Sequence, residues 1–186
     1  AENWYLHQRA LHSTISLILV EDIYVSGRGF RGAAGFNATN NAAGCAQNNY
    51  YYPAVSDYAA LRGESIGTVS QNLIKGKGNI AAGGGGGNSH NSGGGGGGNG
   101  GAGGHGGFQS DSCNATPLNN GGVGGAALLY NNAVNKIFMG SGGGAGHIDN
   151  AGVAVPGGGN GGGIIIIITE ALQMMEELIH ANGDDA

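Results

Sequence analysis

Apolar residues in this chain come in short bursts, separated by tracts that carry almost no side chains. The first burst, ISLILVEDIYVSG from Ile15 to Gly27, is rich in β-branched and aromatic residues and stops at glycine. It predicts one strand, or two with a kink at Glu21 and Asp22, at an edge of whatever core exists. Ala126 to Tyr130 and Val134 to Met139 flank Asn131 and Asn132, a pattern that predicts a β-hairpin. Five consecutive isoleucines, Ile164 to Ile168, read as a strand buried on both faces. From Glu170 to His180 local propensity favours a helix, because Ala171, Met174, Met175 and Leu178 have helical spacing and Asn182 and Gly183 form a stop.

Glycine tracts lie at 83–107, 121–125, 140–146 and 157–163, and each runs into or out of an apolar burst. A disordered linker has no reason to join a strand so repeatedly, so the recurrence favours order. Extended threefold helices of the polyproline II type advance about 3.1 Å per residue and make no internal hydrogen bonds. Their N–H and C=O groups point sideways and need partners. Helices without side chains can approach closely enough to bond laterally, whereas any inward Cβ would push them apart. Interruptions such as Asn88 to Ser92 then mark turns or outward side chains. The fold expected is mainly β with irregular structure: a small β-framework, with strands near 15–25, 126–139 and 164–168, carrying a bundle of polyglycine II helices. Little or no α-helix is expected outside 170–180, and 1–186 forms a single glycine-rich domain.

Composition sharpens this picture. The chain has 186 residues, of which 43 are glycine and 6% are aromatic, so a conventional core across its whole length is excluded. Three prolines and no Gly-X-Y spacing exclude collagen. With 10% charged residues and a net charge of -5, nucleic acid is excluded as a partner. Arg28 and Arg31 are therefore read as solvated or bonded to loop carbonyls rather than as an RNA-binding segment. The strongest apolar stretch, 164–168, is far short of the roughly 20 residues a membrane span requires. The N-terminus lacks a cationic flank followed by an apolar signal core.

Cys45 and Cys113 bracket the longest glycine run. They read as a disulfide closing a long loop, worth about 3 to 5 kcal/mol by loop entropy, or as two separate small core residues. The bridge is favoured, because so little core needs a staple. Tyr50, Tyr51 and Tyr52 offer sugar or surface stacking, or else anchor the long loop near Cys45. Gly27 to Gly32, GRGFRG, satisfies a dinucleotide-binding pattern, but AAGFNATNNAAG cannot supply the helix that pattern requires, so no cofactor is expected. His90, His105 and His147 sit in glycine tracts without close ligand partners in sequence and are expected to point outward at turns, with no metal bound. Asp184 and Asp185 read as an exposed acidic turn. No nucleophile elbow or acid/base constellation is present, so catalysis is not expected.

In order along the chain, DIYVSGRGFRGA, NNYYYP, LRGESIG, KGKGNIAAGGGGGNSHNSGGGGGGNGGAGGHGG, NKIFMGSGGGAGH and GGGNGGGIIIII resemble the glycine-rich domain of large secreted adhesin-like proteins of Bacteroidota. Such proteins are often exported by the type IX system, and some are linked to gliding motility. The resemblance covers about 22–168; residues 1–16 match no pattern of that family. It implies a non-catalytic module at the cell surface or outside the cell, a fragment of a longer chain, giving rigid display or surface contact. Implied partners are other domains of the same chain, secretion or surface-assembly proteins, or glycans. It also implies strand, turn and strand where ALQMMEELIHANGDDA stands, and β structure is preferred there, with helix as the alternative. IAAGGGGG after a strand resembles, more weakly, the extracellular glycine-rich domain of the anaplastic lymphoma kinase receptor family. That receptor domain and certain phage tail-tip adhesins use bundled polyglycine helices. Two alternative functions are a flat-surface binder of ice or glycan, and a passive secretion passenger.

Overall fold

In the computed structural model, which describes residues 8–12, 15–38, 47–109, 118–130, 136–149, 154–155 and 157–186, regular strands are few and short. They are β1 (Gln8–His12), β2 (Ser16–Leu19), β3 (Ile23–Tyr24), β4 (Phe36–Asn37), β5 (His147–Ile148), β6 (Ile164–Ile168), β7 (Ala171–Met174) and β8 (Ile179–His180). Every pairing is parallel and two-stranded: β1 with β6, β2 with β7, β3 with β8, and β4 with β5. Among the described residues helix is confined to one 3₁₀ turn, Gln71–Leu73. The fold is mainly β with irregular structure.

The apolar N-terminal burst breaks where its acidic pair stands: β2 ends at Leu19, Glu21 bends the chain and β3 resumes at Ile23. Segment 171–180 is strand, turn and strand, not helix. Each of its strands lies beside one from the N-terminal burst, which supplies the ladder that overrides helical spacing. Two expectations are corrected. The isoleucine strand is half-exposed, with Ile166 and Ile168 37% and 57% accessible, because β6 belongs to a two-stranded ribbon. No hairpin strands form in 126–130 or 136–139, the described parts of 126–139. The backbone there bonds to the glycine tracts instead, Ala126 N–H to Ala81 O (2.9 Å) and Leu128 N–H to Asn99 O (2.6 Å).

Those tracts form the body of the fold. Gly84 N–H donates to Gly142 O (3.0 Å), Gly85 to Val123 O (2.8 Å) and Gly86 to Gly76 O (2.9 Å). Gly87 then donates to Ala145 O (2.9 Å), three residues further along both tracts. Ser141, Gly144 and His147 likewise donate to Gly98, Gly95 and Ser92 of an antiparallel neighbour, while Gly122 and Gly125 donate to Gly93 and Gly96 of a parallel one. Successive residues bond in three different directions and the direction recurs at every third, which is the signature of a threefold extended helix bonded laterally. The turn at 89–91 reverses the chain between tracts 83–87 and 93–98, as the Asn-Ser-His-Asn interruption predicts.

The glycines are there for closeness rather than for unusual dihedrals. Among the described glycines only Gly27 (φ 64°) and Gly76 (φ 111°) have left-handed backbone. At most of the others a Cβ would strike a neighbouring tract: at Gly29 it would lie 2.5 Å from both Gly140 O and Gly162 O, and at Gly95 2.5 Å from Val123 O. The hydrogen standing in for that Cβ points at a carbonyl, a weak attraction that the close approach permits. Ordering a glycine costs about 0.5 to 1 kcal/mol more than alanine, and a lateral hydrogen bond contributes about 0.5 to 1.5 kcal/mol net. One bond per residue therefore offsets the entropy. The apolar cluster is correspondingly small, Ala33, Ala60 and Ala145 with Phe36 and Leu61 against them.

Candidate functional site

Aromatic rings and cations meet at one flank, where residues 47–58 cover the start of the bundle. Tyr52 enters a bridge with Lys75: its N–H donates to Lys75 O (2.9 Å), and its carbonyl accepts from Lys75 N–H (3.2 Å). Alternation along Lys75-Gly-Lys77 sends both lysines inward, and both are buried, as is Arg62. Each cation sits over a ring: Lys75 Nζ 3.6 Å from the Phe36 centroid, Arg62 Cζ 5.0 Å from Tyr51 and Lys77 Nζ 5.1 Å from Tyr50. Carbonyl oxygens supply the polar contacts, with Arg62 Nε left without one. Lys75 Nζ donates to Ser56 O (2.6 Å), Lys77 Nζ to Asn48 Oδ1 and Asn119 O (3.3 Å), and Arg62 to Leu73 O and Gly78 O (3.3 Å). Burial pushes all three below their ordinary pKa values. Such desolvated cations gain most from a ring face.

The three tyrosines therefore divide. Tyr52 is buried, edge-on to Tyr58 at 5.9 Å between centroids, and its hydroxyl bonds to Gln47 Oε1 (3.3 Å), so it anchors the loop and offers no surface contact. Tyr50 and Tyr51 are about half exposed and adjacent, 6.3 Å between centroids, while their cations hold them from beneath. They are thus tied to buried cations on one side and accessible on the other. Sequence reasoning missed Arg62, Lys75 and Lys77, although the alternating Gly-Lys-Gly-Lys after a tyrosine run is the available signal.

The histidines do not behave alike. His105 is exposed. His147, expected outward, is instead 1% accessible. Its Nδ1 accepts from Asn91 N–H (3.4 Å) and its Nε2 donates to Asp57 O (2.9 Å), an assignment that makes the ring neutral. Burial is the main cause of its lowered pKa, with His90 and Lys75 acting in the same direction. The correction has a simple reason: His147 begins β5 and donates its backbone N–H into the tract below, so its side chain is covered by 57–58 and 90–91. His90 Nδ1 lies 2.6 Å from the buried carboxylate of Asp149. Among the described residues no group of three or more His, Cys, Asp or Glu side chains is placed to hold a metal.

The glycines of GRGFRG are accounted for by packing: Gly27 by its turn, Gly29 and Gly32 by the carbonyls of 140–162 against which they lie. Extended chain follows, not helix. Arg31 is not bonded to loop carbonyls through its side chain; its Nε and guanidinium engage Glu64 at 3.0 and 2.5 Å. The pair is exposed, and such pairs add little stability. Asp184 accepts from Asn160 Nδ2 (3.1 Å) at the exposed acidic end, and Asp185 lies exposed beside it. Cys45 and Cys113, and hence their bridge, lie outside the described residues. Among the described residues no helix is long and apolar enough to cross a membrane. Comparison of the chain with protein-family models, curated proteins and solved structures finds no match.

Proposed function

We propose that this chain is a non-catalytic structural module of an adhesin-type surface or secreted protein, working outside the cell. Its role is rigid display, with surface contact through the exposed rings of Tyr50 and Tyr51. The observation that carries the reading is the lateral hydrogen-bond lattice of the glycine tracts, in which backbone bonds to backbone in three directions around a minimal apolar core. A body built this way resists bending without needing thickness, which suits a spacer. The buried cations stiffen the base of this aromatic pair by holding both rings from below. Other domains of a longer chain, surface-assembly proteins and glycans are the partners this reading calls for, with type IX export as the route implied by the family resemblance.

Hydrogen exchange tests the rigidity directly. Amides of Gly84 to Gly87 and Gly93, Gly95 and Gly96 should be protected far beyond random-coil rates. Exchange at random-coil rates across 81–107 refutes the spacer reading. Surface contact is tested by adhesion of the chain to a glycan array: Tyr50→Ala with Tyr51→Ala should abolish any retention while leaving the exchange pattern intact.

A further inference from the structure

Each threefold tract offers three rows of backbone groups, and tract 93–98 uses two of them within the molecule. Gly93 and Gly96 donate to Gly107 and Gly104; Gly95 and Gly98 donate to Gly85 and Ala82. The third row is Gly94 and Gly97, and among the described residues neither their N–H nor their C=O groups have a hydrogen-bond partner. Tract 93–98 already bonds to four neighbours, 82–85, 104–107, 122–125 and 141–144, and this row is the one that none of them engages. A groove of about 460 Å³ lies there, walled by the tracts around 94–98, 140–144 and 158–162, with 183–186 at its side. Two further lining N–H groups, of Gly159 and Gly162, also lack an acceptor.

A second observation concerns the groove wall. A Cβ at Gly143 would meet nothing nearer than 3.5 Å, an ordinary contact, whereas its neighbours Gly142 and Gly144 each face a backbone carbonyl at close range. The chain's own packing does not require glycine at 143. Something lying in the groove would.

The occupant must present bare backbone at three-residue spacing, and this chain carries such an edge. In segment 101–107, Gly103 and Gly106 face inward, donating to Gly125 and Gly122. Gly101, Gly104 and Gly107 are exposed, a Cβ on any of them would meet nothing within 4 Å, and their N–H groups have no acceptor. Free donors about 9 Å apart on the edge match free carbonyls of the same spacing at Gly94 and Gly97. We propose that the groove of one copy takes the 101–107 edge of a second copy, which extends the hydrogen-bond lattice from molecule to molecule. The two surfaces differ, so the contact is heterologous and builds an open row of copies rather than a closed dimer.

Sedimentation equilibrium over a range of concentrations tests this with two variants, Gly143→Leu filling the groove and Gly104→Leu blocking the edge. The unaltered chain should rise past the mass of two copies, and each variant alone should stay at one. Mixed together they should form a pair and stop, since one retains a free edge and the other a free groove. A monomer at every concentration, a dimer that stops at two, or a mixture that stays monomeric overturns the proposal. If Gly143→Leu fails to fold, Gly143→Ala, whose methyl the groove wall tolerates, should still weaken association at least tenfold. A rigid chain that does not associate refutes this contact and leaves the spacer reading standing.

Discussion

Two consecutive glycines, Gly103 and Gly104, should respond to the same substitution with opposite sign. Neither has left-handed backbone, so alanine is acceptable to both in dihedral terms. Replacing glycine by alanine at a compatible position stabilises by about 0.4 to 1 kcal/mol, by narrowing the unfolded ensemble. At Gly104 nothing lies within 4 Å of the new methyl, so the whole gain should appear. At Gly103 the methyl would lie 2.6 Å from the Gly96 carbonyl carbon and 2.8 Å from the Gly97 oxygen, with the Gly96 oxygen closer still. These are backbone atoms of a hydrogen-bonded tract and cannot swing aside. Overpacking of this kind costs about 1 to 3 kcal/mol, which outweighs the entropic gain. The bond from Gly103 N–H to Gly125 O (2.9 Å) would be strained as the tracts separate. Both variants share the entropic gain, so they should differ by the overpacking cost, about 1 to 3 kcal/mol, or several degrees in thermal midpoint. Guanidinium titrations of both, read by far-ultraviolet circular dichroism, measure the difference. Equal shifts of the same sign would mean that these glycines are not held in register against their neighbours.

Other consequences are open to similar tests. Asn88 is fully buried and its Nδ2 donates to Gln47 O (3.1 Å) and Asn49 O (2.9 Å). Asn88→Ala should therefore cost about 1 to 3 kcal/mol in denaturant titration and loosen Tyr50 and Tyr51, seen as rising tyrosine accessibility. His147 has a folded pKa below its ordinary value, so its neutral form contributes stability that is present above about pH 6.5 and is lost as the pH falls below it. In His147→Asn this weakly acidic decline should flatten, whereas the loss tied to Glu64, whose carboxyl Arg31 holds below the usual range, should persist at lower pH. Mass spectrometry of an unreduced digest should recover Cys45 joined to Cys113; free thiols at both would mean that the lattice stands without a staple.

What could be read from the sequence was whatever depends on chain stiffness and closeness. The glycine tracts, the turn at 89–91, the break before Asp22 and the strand character of 164–168 all follow from backbone requirements that each residue type meets or fails locally. Partner choice did not follow. The hairpin expected over 126–139 assumed that apolar neighbours in sequence pair with each other, but a bundle offers unpaired carbonyls at Ala81 and Asn99 that compete for the same amides. Burial was the least legible property. His147 and Asn88 sit inside because the tracts around them are too thin to fill the space, and Ile166 and Ile168 sit outside because their ribbon has two strands. Inside a run of identical glycines, moreover, nothing marks which third of the residues faces which neighbour.

That indifference has a consequence for how such tracts tolerate insertion and deletion. The lattice is read in triplets, like a coding frame. Adding three residues to an exposed tract returns every downstream amide to its former direction and merely lengthens the rod. Adding one rotates everything beyond it by a third of a turn, so that Gly94 would stand where Gly95 stood and each donor would face a stranger.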